Sequence, residues 1–354
     1  MQLLKELCET PGIPGREERL RAIVRRELEP IVDEIRVDAM GSLIGVKQKA
    51  GAKKLMIAAH MDEIGFVVSH IEEKGWLRIV GLGGHDPRNM VAQRVTVCTD
   101  DGDLPGLLYP GIKPPHIQTD EERNKIPKLN DFFVDLGLPA SEVKERVRLG
   151  TPVTIQRDFL ELGECASCKA MDNRLALYIM IRAMQQVALN PACGAEKFGF
   201  ETYAVATVQE EIGLRGATTS AFGINPDIGI ALDITIAADI PGVPDHERVT
   251  QLGEGTAIKI LDSSAISHPK LVAFLRELAQ RRGIKWQMEI LPRGGTDAGA
   301  MQRIRAGVPV ATISTPARYV HTSIETVNKS DVKASVDLLA AFIEEGDTAE
   351  LTLI

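Results

Sequence analysis

After residue 165 the chain alternates between two hydrophobic periods, and this alternation restricts the fold more than any other feature of the sequence. A helical pattern in "DNRLALYIMIRAMQQVAL" gives way to a strand, "FETYAVATV", then to a helix at "GATTSAFG" and strands at "DIGIALDI" and "TAIKIL". A helix at "HPKLVAFLRELAQRRG", a strand at "WQMEIL", a helix at "DAGAMQRIRAG", a strand at "PVATISTP" and a last helix from "KSDVKASVDLLAAFIEEG" complete the series. Strands interleaved with helical segments call for a sheet covered by helices. The beginning of the chain has the same texture. A helix broken at "TPGIPG" and a second at "REERLRAIVRRELEP" precede β segments at "DEIRVDA", "LIGVKQK" and "KKLMIAAH". The last of these is apolar from its lysines to its histidine, as a strand buried on both faces should be.

Residues 66–164 break the pattern. "GFVVSHIE", "WLRIVGL", "QRVTVCTD", "LPGLLYPG" and "GTPVTIQRDFLELG" are short strands separated by Gly and Pro, the signature of a small barrel or sandwich. Within them "TDEERNKIPKLND" reads as a polar, mobile loop. The expected architecture is one α/β domain over residues 1–65 and 165–354, a mixed sheet flanked by helices, interrupted by a β-rich domain over residues 66–164. Hydrophobic residues are 44% of the 354, enough for a large core, but aromatics are only 4%, so that core is built of Val, Ile, Leu and Ala.

Charge and cysteine content narrow the function. The formal net charge of −8 offers no basic face for phosphates, so nucleic acid is not an expected partner. No apolar run approaches the roughly 20 residues that span a bilayer. The opening "MQLLKELCETPG" has acidic residues and no signal-peptide core, and five cysteines are too few and odd in number for a disulfide framework. A soluble, cytoplasmic protein without membrane partners is the expectation.

In open α/β sheets, ligands sit beyond the carboxyl ends of the strands. Polar residues at those ends are therefore informative. His60 and Asp62 end "KLMIAAHMDEIG", Asp172 lies in "AMDNR", Glu210 and Glu211 follow "YAVATVQ", Asp233 ends "DIGIALD", and His321 follows "TISTPARYV". Singly, each has an ordinary reading: a core histidine, a turn residue, a helix N-cap for Asp172, a solvated turn for the glutamates. Jointly they place two histidines and several acids at one sheet edge. Buried unpaired carboxylates cost several kcal/mol each, so the cluster needs cations. Imidazole with carboxylate suits zinc or a related divalent ion. The acids outnumber what one catalytic zinc uses, and two ions about 3.5–4 Å apart are a known hydrolytic arrangement.

These residues sit in segments that resemble, in order and spacing, the tetrahedral metallo-aminopeptidases, a family that includes the glutamyl and deblocking aminopeptidases. The matching segments are "AAHMDEIGF", "AMDNR", "QEEIGLRGA", "ALDI" and "YVHTSIE", with "AQRV", "GIKPPH" and "GGTDAGAMQ" in support. The resemblance implies that His60 and Asp233 hold one metal, Glu211 and His321 the other, and Asp172 bridges them. It implies Glu210 as general base and Asp62 as the residue orienting the His60 ring. It further implies a dinuclear zinc or cobalt centre, short peptide substrates, a PDZ-like dimerisation domain in the insertion, and a dodecamer built from dimers. Related readings are a dinuclear carboxypeptidase or deacylase, a metal-free glycoside hydrolase using a carboxylate pair, and a scaffold without activity.

Two departures stand out. Asn173 follows Asp172 where the family often has a second Asp, and Cys165 and Cys168 form a C-x-x-C spacing just before it. The cysteines read as two ordinary thiols, with a redox clasp that shifts Asp172 as the alternative. Arg293 and Arg318 are candidate cations for an acidic substrate side chain, whereas His70, His85, His116, His246 and His268 have no metal-like spacing.

Overall fold

A computed structural model of the chain describes residues 1–189 and 197–353, and the counts below are made among them. The fold is mixed α/β, an eleven-stranded sheet flanked by helices with a closed six-stranded barrel inserted. At the centre of the sheet, Glu201–Thr207, Lys54–His60, Ile228–Ile236 and Val310–Arg318 run parallel side by side. On one flank Leu43–Lys47 and Glu34–Val37 continue antiparallel. On the other, Val310–Arg318 pairs with both Thr256–Leu261 and Glu325–Asn328, and the latter leads to Cys165–Cys168 and Leu160–Leu162.

Period-two alternation divides the central strands between two cores. Leu55, Ile57 and Ala59 face the larger one with the helices Gln2–Glu9, Glu18–Leu28, Met171–Ala188, Pro269–Arg281 and Lys329–Glu345. Met56 and Ala58 face a smaller one under Arg215–Ile224 and Asp297–Gln302. Lys54–His60 is therefore covered on both faces, as its unbroken apolar run requires.

The barrel is built from Gly65–Ile71, Leu77–Leu82, Gln93–Thr99, Gly102–Pro110, Phe132–Asp135 and Pro152–Ile155, and it encloses its own core around Phe66, Val95 and Phe132. Two of its parts have no counterpart in the sequence reading: Phe132–Asp135, only four residues long, and the helix Ala140–Arg146. The segment read as a polar loop holds a one-turn helix, Asp120–Arg123, capped reciprocally by Thr119 and Glu122. "DFLELG" leaves the barrel, because Leu160–Leu162 joins the large sheet. Among the described residues no helix is long and apolar enough to cross a membrane.

Cys165 and Cys168 are the first and last residues of one strand. An extended chain at about 3.3 Å per residue separates their Cα atoms by about 10 Å, beyond the about 7 Å that a disulfide spans. The clasp considered from the C-x-x-C spacing therefore cannot close in this fold. The thiol beside Cys168 is that of Cys8, on the first helix. The fifth cysteine, Cys193, lies outside the described residues.

The turn after Glu201–Thr207 depends on a close backbone approach at Gly216, where a Cβ would lie 2.5 Å from the Val208 nitrogen and 2.6 Å from its oxygen. Neither atom can yield without moving the strand exit. Gly216→Ala is expected to lower stability by about 1–3 kcal/mol, as overpacking does, and to displace the adjoining glutamates. The denaturation midpoint and the activity of the refolded variant check both effects.

Candidate metal centre

The parallel strands end together at one sheet edge. His60 is the last residue of Lys54–His60, opposite Thr207 in the register. It shares a face with Met56 and Ala58, and Asp233 shares a face with Ala231 on the neighbouring strand. Both polar side chains therefore leave the smaller core where its strands stop. Asp172 enters at the start of Met171–Ala188. It does not cap that helix, whose first turn has no side-chain cap. His321 comes from the loop after Val310–Arg318.

The Asp172 carboxylate stands between two imidazoles, with Oδ1 3.2 Å from His60 Nε2 and Oδ2 3.3 Å from His321 Nε2. Each ring is held from behind by a main-chain carbonyl. His60 Nδ1 lies 3.0 Å from the Asp62 carbonyl, and His321 Nδ1 lies 3.1 Å from that of Gly84. A carbonyl only accepts, so each Nδ1 keeps its proton and each Nε2 is the atom that can exchange a proton for a cation. Gly84 belongs to the loop after a barrel strand, so the inserted barrel helps to orient His321.

Glu210 and Glu211 sit in a turn three residues beyond their strand. Gln209 and Leu214 take left-handed backbone angles, and the amides of Gly213 and Leu214 close the turn on the Glu210 carbonyl. The N–H of Glu210 donates to Asp62 Oδ1 at 3.0 Å and that of Glu211 to Asp62 Oδ2 at 3.1 Å. One buried carboxylate thus fixes both amides, and the adjacent side chains serve different parts of the site. Glu210 groups with His60 and Asp233, whereas Glu211 groups with His60 and Asp172 and lies 3.7 Å from His321 Nε2. The Asp62 carboxylate is 3.5 Å from His60 Nδ1, so its shorter contacts are to the glutamate turn.

Electrostatics show what the cluster lacks. Burial, then the charge of Asp172, pushes Glu211 up to about 8. Burial likewise raises Glu210 and Asp233 well above the usual carboxylate range. Burial opposes charging of His321, but Asp172 and Glu211 outweigh it and push the ring up to about 10. Positive charge is in demand throughout, and Glu211 Oε1 is buried without a hydrogen-bond partner. Two imidazoles and four carboxylates form a donor set that suits divalent zinc or cobalt. The residues present therefore fit the metals they imply.

An open cavity of about 510 Å³ lies over this edge, lined by the cluster and by Thr235, Lys259, Leu291 and Arg293. Arg318 is committed elsewhere, to a two-point ion pair with Asp239 at 2.7 Å. His85 stacks on Phe66 at 4.4 Å, with Nε2 on the Gly65 carbonyl at 3.0 Å, a packing role. Asn173 is buried and donates to the Leu232 carbonyl at 2.9 Å. Four buried charged residues near the site were not singled out from sequence. Asp297 accepts from the Thr207 hydroxyl at 2.6 Å, Lys259 pairs with Glu289 at 3.0 Å, and Glu325 touches the backbone of two cluster residues. Asp297 and Glu325 lie in segments that carry the family resemblance, which was the available signal.

A family model described as M42 glutamyl aminopeptidase matches residues 41–338. The lysyl aminopeptidase of Pyrococcus furiosus is 36% identical over 353 residues, which cover 97% of this chain and 96% of that protein. Among solved structures, an aminopeptidase from the archaeon Desulfurococcus kamchatkensis is similar with a TM-score of 0.90 at 38% identity, covering 97% of this chain and 94% of that one. The TET1 peptidase of Pyrococcus horikoshii, which can assemble into a tetrahedron or a large octahedral shell, gives 0.86 at 29% identity, covering 97% and 99%.

Proposed function

This chain belongs to the M42 glutamyl aminopeptidase family and is a peptide hydrolase, and from that premise we propose that it removes N-terminal residues from short peptides with two divalent ions held at the sheet edge. The observation that carries the two-ion reading is the Asp172 carboxylate, with one oxygen toward each of two imidazoles. His60 and Asp233 would hold one ion, Glu211 and His321 the other, and Asp172 both. When bound, such ions supply Lewis acidity toward the scissile carbonyl and lower the pKa of an attacking water to about 7.

The chain's own residues do the rest. Glu210 takes the proton of the attacking water and returns it to the leaving amine. Its side chain is nearly buried and 3.9 Å from His60 Nε2, close to the cluster but outside the pair of contacts made by Asp172. Asp62, by fixing the Glu210 and Glu211 amides, keeps the base and the acid beside it at a set separation, and its carbonyl orients His60. The cavity receives the N-terminal side chain, with Arg293 as the cation that an acidic residue would meet.

The same reading takes residues 66–164 as a dimerisation domain and the chain as a cytoplasmic homo-oligomer, a dodecamer built from dimers; of these, homo-oligomerisation is supported by the shells into which the Pyrococcus horikoshii relative can assemble. A panel of aminoacyl-p-nitroanilides tests the activity. Cleavage is expected to stop with a chelator and return with Zn²⁺ or Co²⁺, while N-acetylated substrates stay intact. Chelator-resistant cleavage contradicts it, as does a panel left intact by a protein that releases C-terminal residues from a peptide.

A further inference from the structure

Glu325 is 2% exposed and lies on the strand Glu325–Asn328, opposite Cys168 in the register. Its Oε2 accepts the N–H of Asp172 at 3.0 Å, and its Oε1 accepts the N–H of His321 at 2.7 Å. These two residues arrive on separate segments, one at the start of a helix and one in a loop, yet their side chains meet at 3.3 Å. The loop does not take this shape freely. Tyr319 has φ 61° and His321 has φ 60°, left-handed angles that non-glycine residues keep only where their surroundings impose them. Asp62 does the same for Glu210 and Glu211, so two buried carboxylates between them fix four amides of the cluster.

We propose that Glu325 is a positioning residue that sets the spacing of Asp172 and His321 and thereby the affinity for the ion those two share. Both Glu325 oxygens are taken by main-chain donors, so it acts through its neighbours and not as a ligand. The inference rests on the two-ion reading above. A residue that orients a ligand typically contributes about 10–100-fold in metal affinity, and Glu325 orients two at once through their main chain.

The test uses the full chain as wild type, Glu325→Gln and Glu325→Asp, each loaded with Co²⁺. Ions per chain, dissociation constants from competition with a chelator, and the visible Co²⁺ absorption are measured. Gln keeps the shape but turns an NH₂ toward one of the two N–H groups. Asp keeps the charge but is one methylene too short to reach both. Both variants are expected to loosen the ion shared by Asp172 and His321 by about 10–100-fold, to change its absorption, and to loosen the other ion, which loses only the placement of Asp172, by less. If both bind as tightly as wild type with the same spectrum, the inference is overturned. It is also overturned if only Glu325→Gln is loosened, since charge alone then suffices. A lower unfolding midpoint of the metal-free variants with unchanged affinity assigns Glu325 to the fold and overturns it too. If one variant does not fold, the other decides. A wild type that holds fewer than two ions contradicts the functional reading itself, a result distinct from all of these.

Discussion

Replacing Glu210 with Gln is expected to leave two ions per chain and to lower kcat by about 10²–10⁴, the usual effect of losing a general base, with KM little changed. Gln has the shape of Glu but cannot take a proton. The Glu210 amide still reaches Asp62, so the turn persists. The geometry also contains the rival assignment, because Glu210 forms a group with His60 and Asp233 that could itself hold an ion. Metal analysis separates the two. If Glu210→Gln loses an ion while Glu211→Gln keeps both, the two glutamates have exchanged roles.

The second large effect is expected at Asp172. Its two oxygens face two different imidazoles, and burial is outweighed by those rings, which hold the carboxyl well below its ordinary range. Asp172→Ala removes the acid between them and leaves both Nε2 atoms without a shared anion. Binding of both ions should weaken by more than the about 10–100-fold that follows loss of an outer partner, and added Zn²⁺ or Co²⁺ should not restore activity. Glu211→Gln removes a group from one side only, so added metal should restore part of its activity. An Asp172→Ala variant that keeps two ions would show that the carboxylate does not join them.

Much of this site could be read from the sequence because sheet physics exposes it. An apolar run such as Lys54–His60 tolerates a histidine only where it ends, and the rule that ligands gather beyond strand ends places His60, Asp62, Asp233, the glutamate pair and His321 at one edge. The helices and central strands were legible for the same reason, long hydrophobic periods. "DAGAMQRIRAG" was read as one helix, but it stops at Gln302, and the chain turns through Arg305 and Gly307 at positive φ before Pro309. Short elements left too little pattern, as with Phe132–Asp135. The work of Glu325 and the two-amide contact of Asp62 were hidden for a different reason. A carboxylate that accepts main-chain N–H groups puts no constraint on which side chains its partners carry, so it leaves no signature in composition or spacing. The C-x-x-C reading failed because spacing along the chain does not say whether the segment is extended, and here it is a strand.

The most direct measurement is a titration of the chelator-stripped wild type with Co²⁺ or Zn²⁺, following bound ions per chain and hydrolysis of an aminoacyl-p-nitroanilide together. Two ions per chain, with full activity reached only when the second is bound, is the predicted result. Full activity in the stripped protein, or saturation at a single ion with no further gain, would contradict a dinuclear centre built on Asp172.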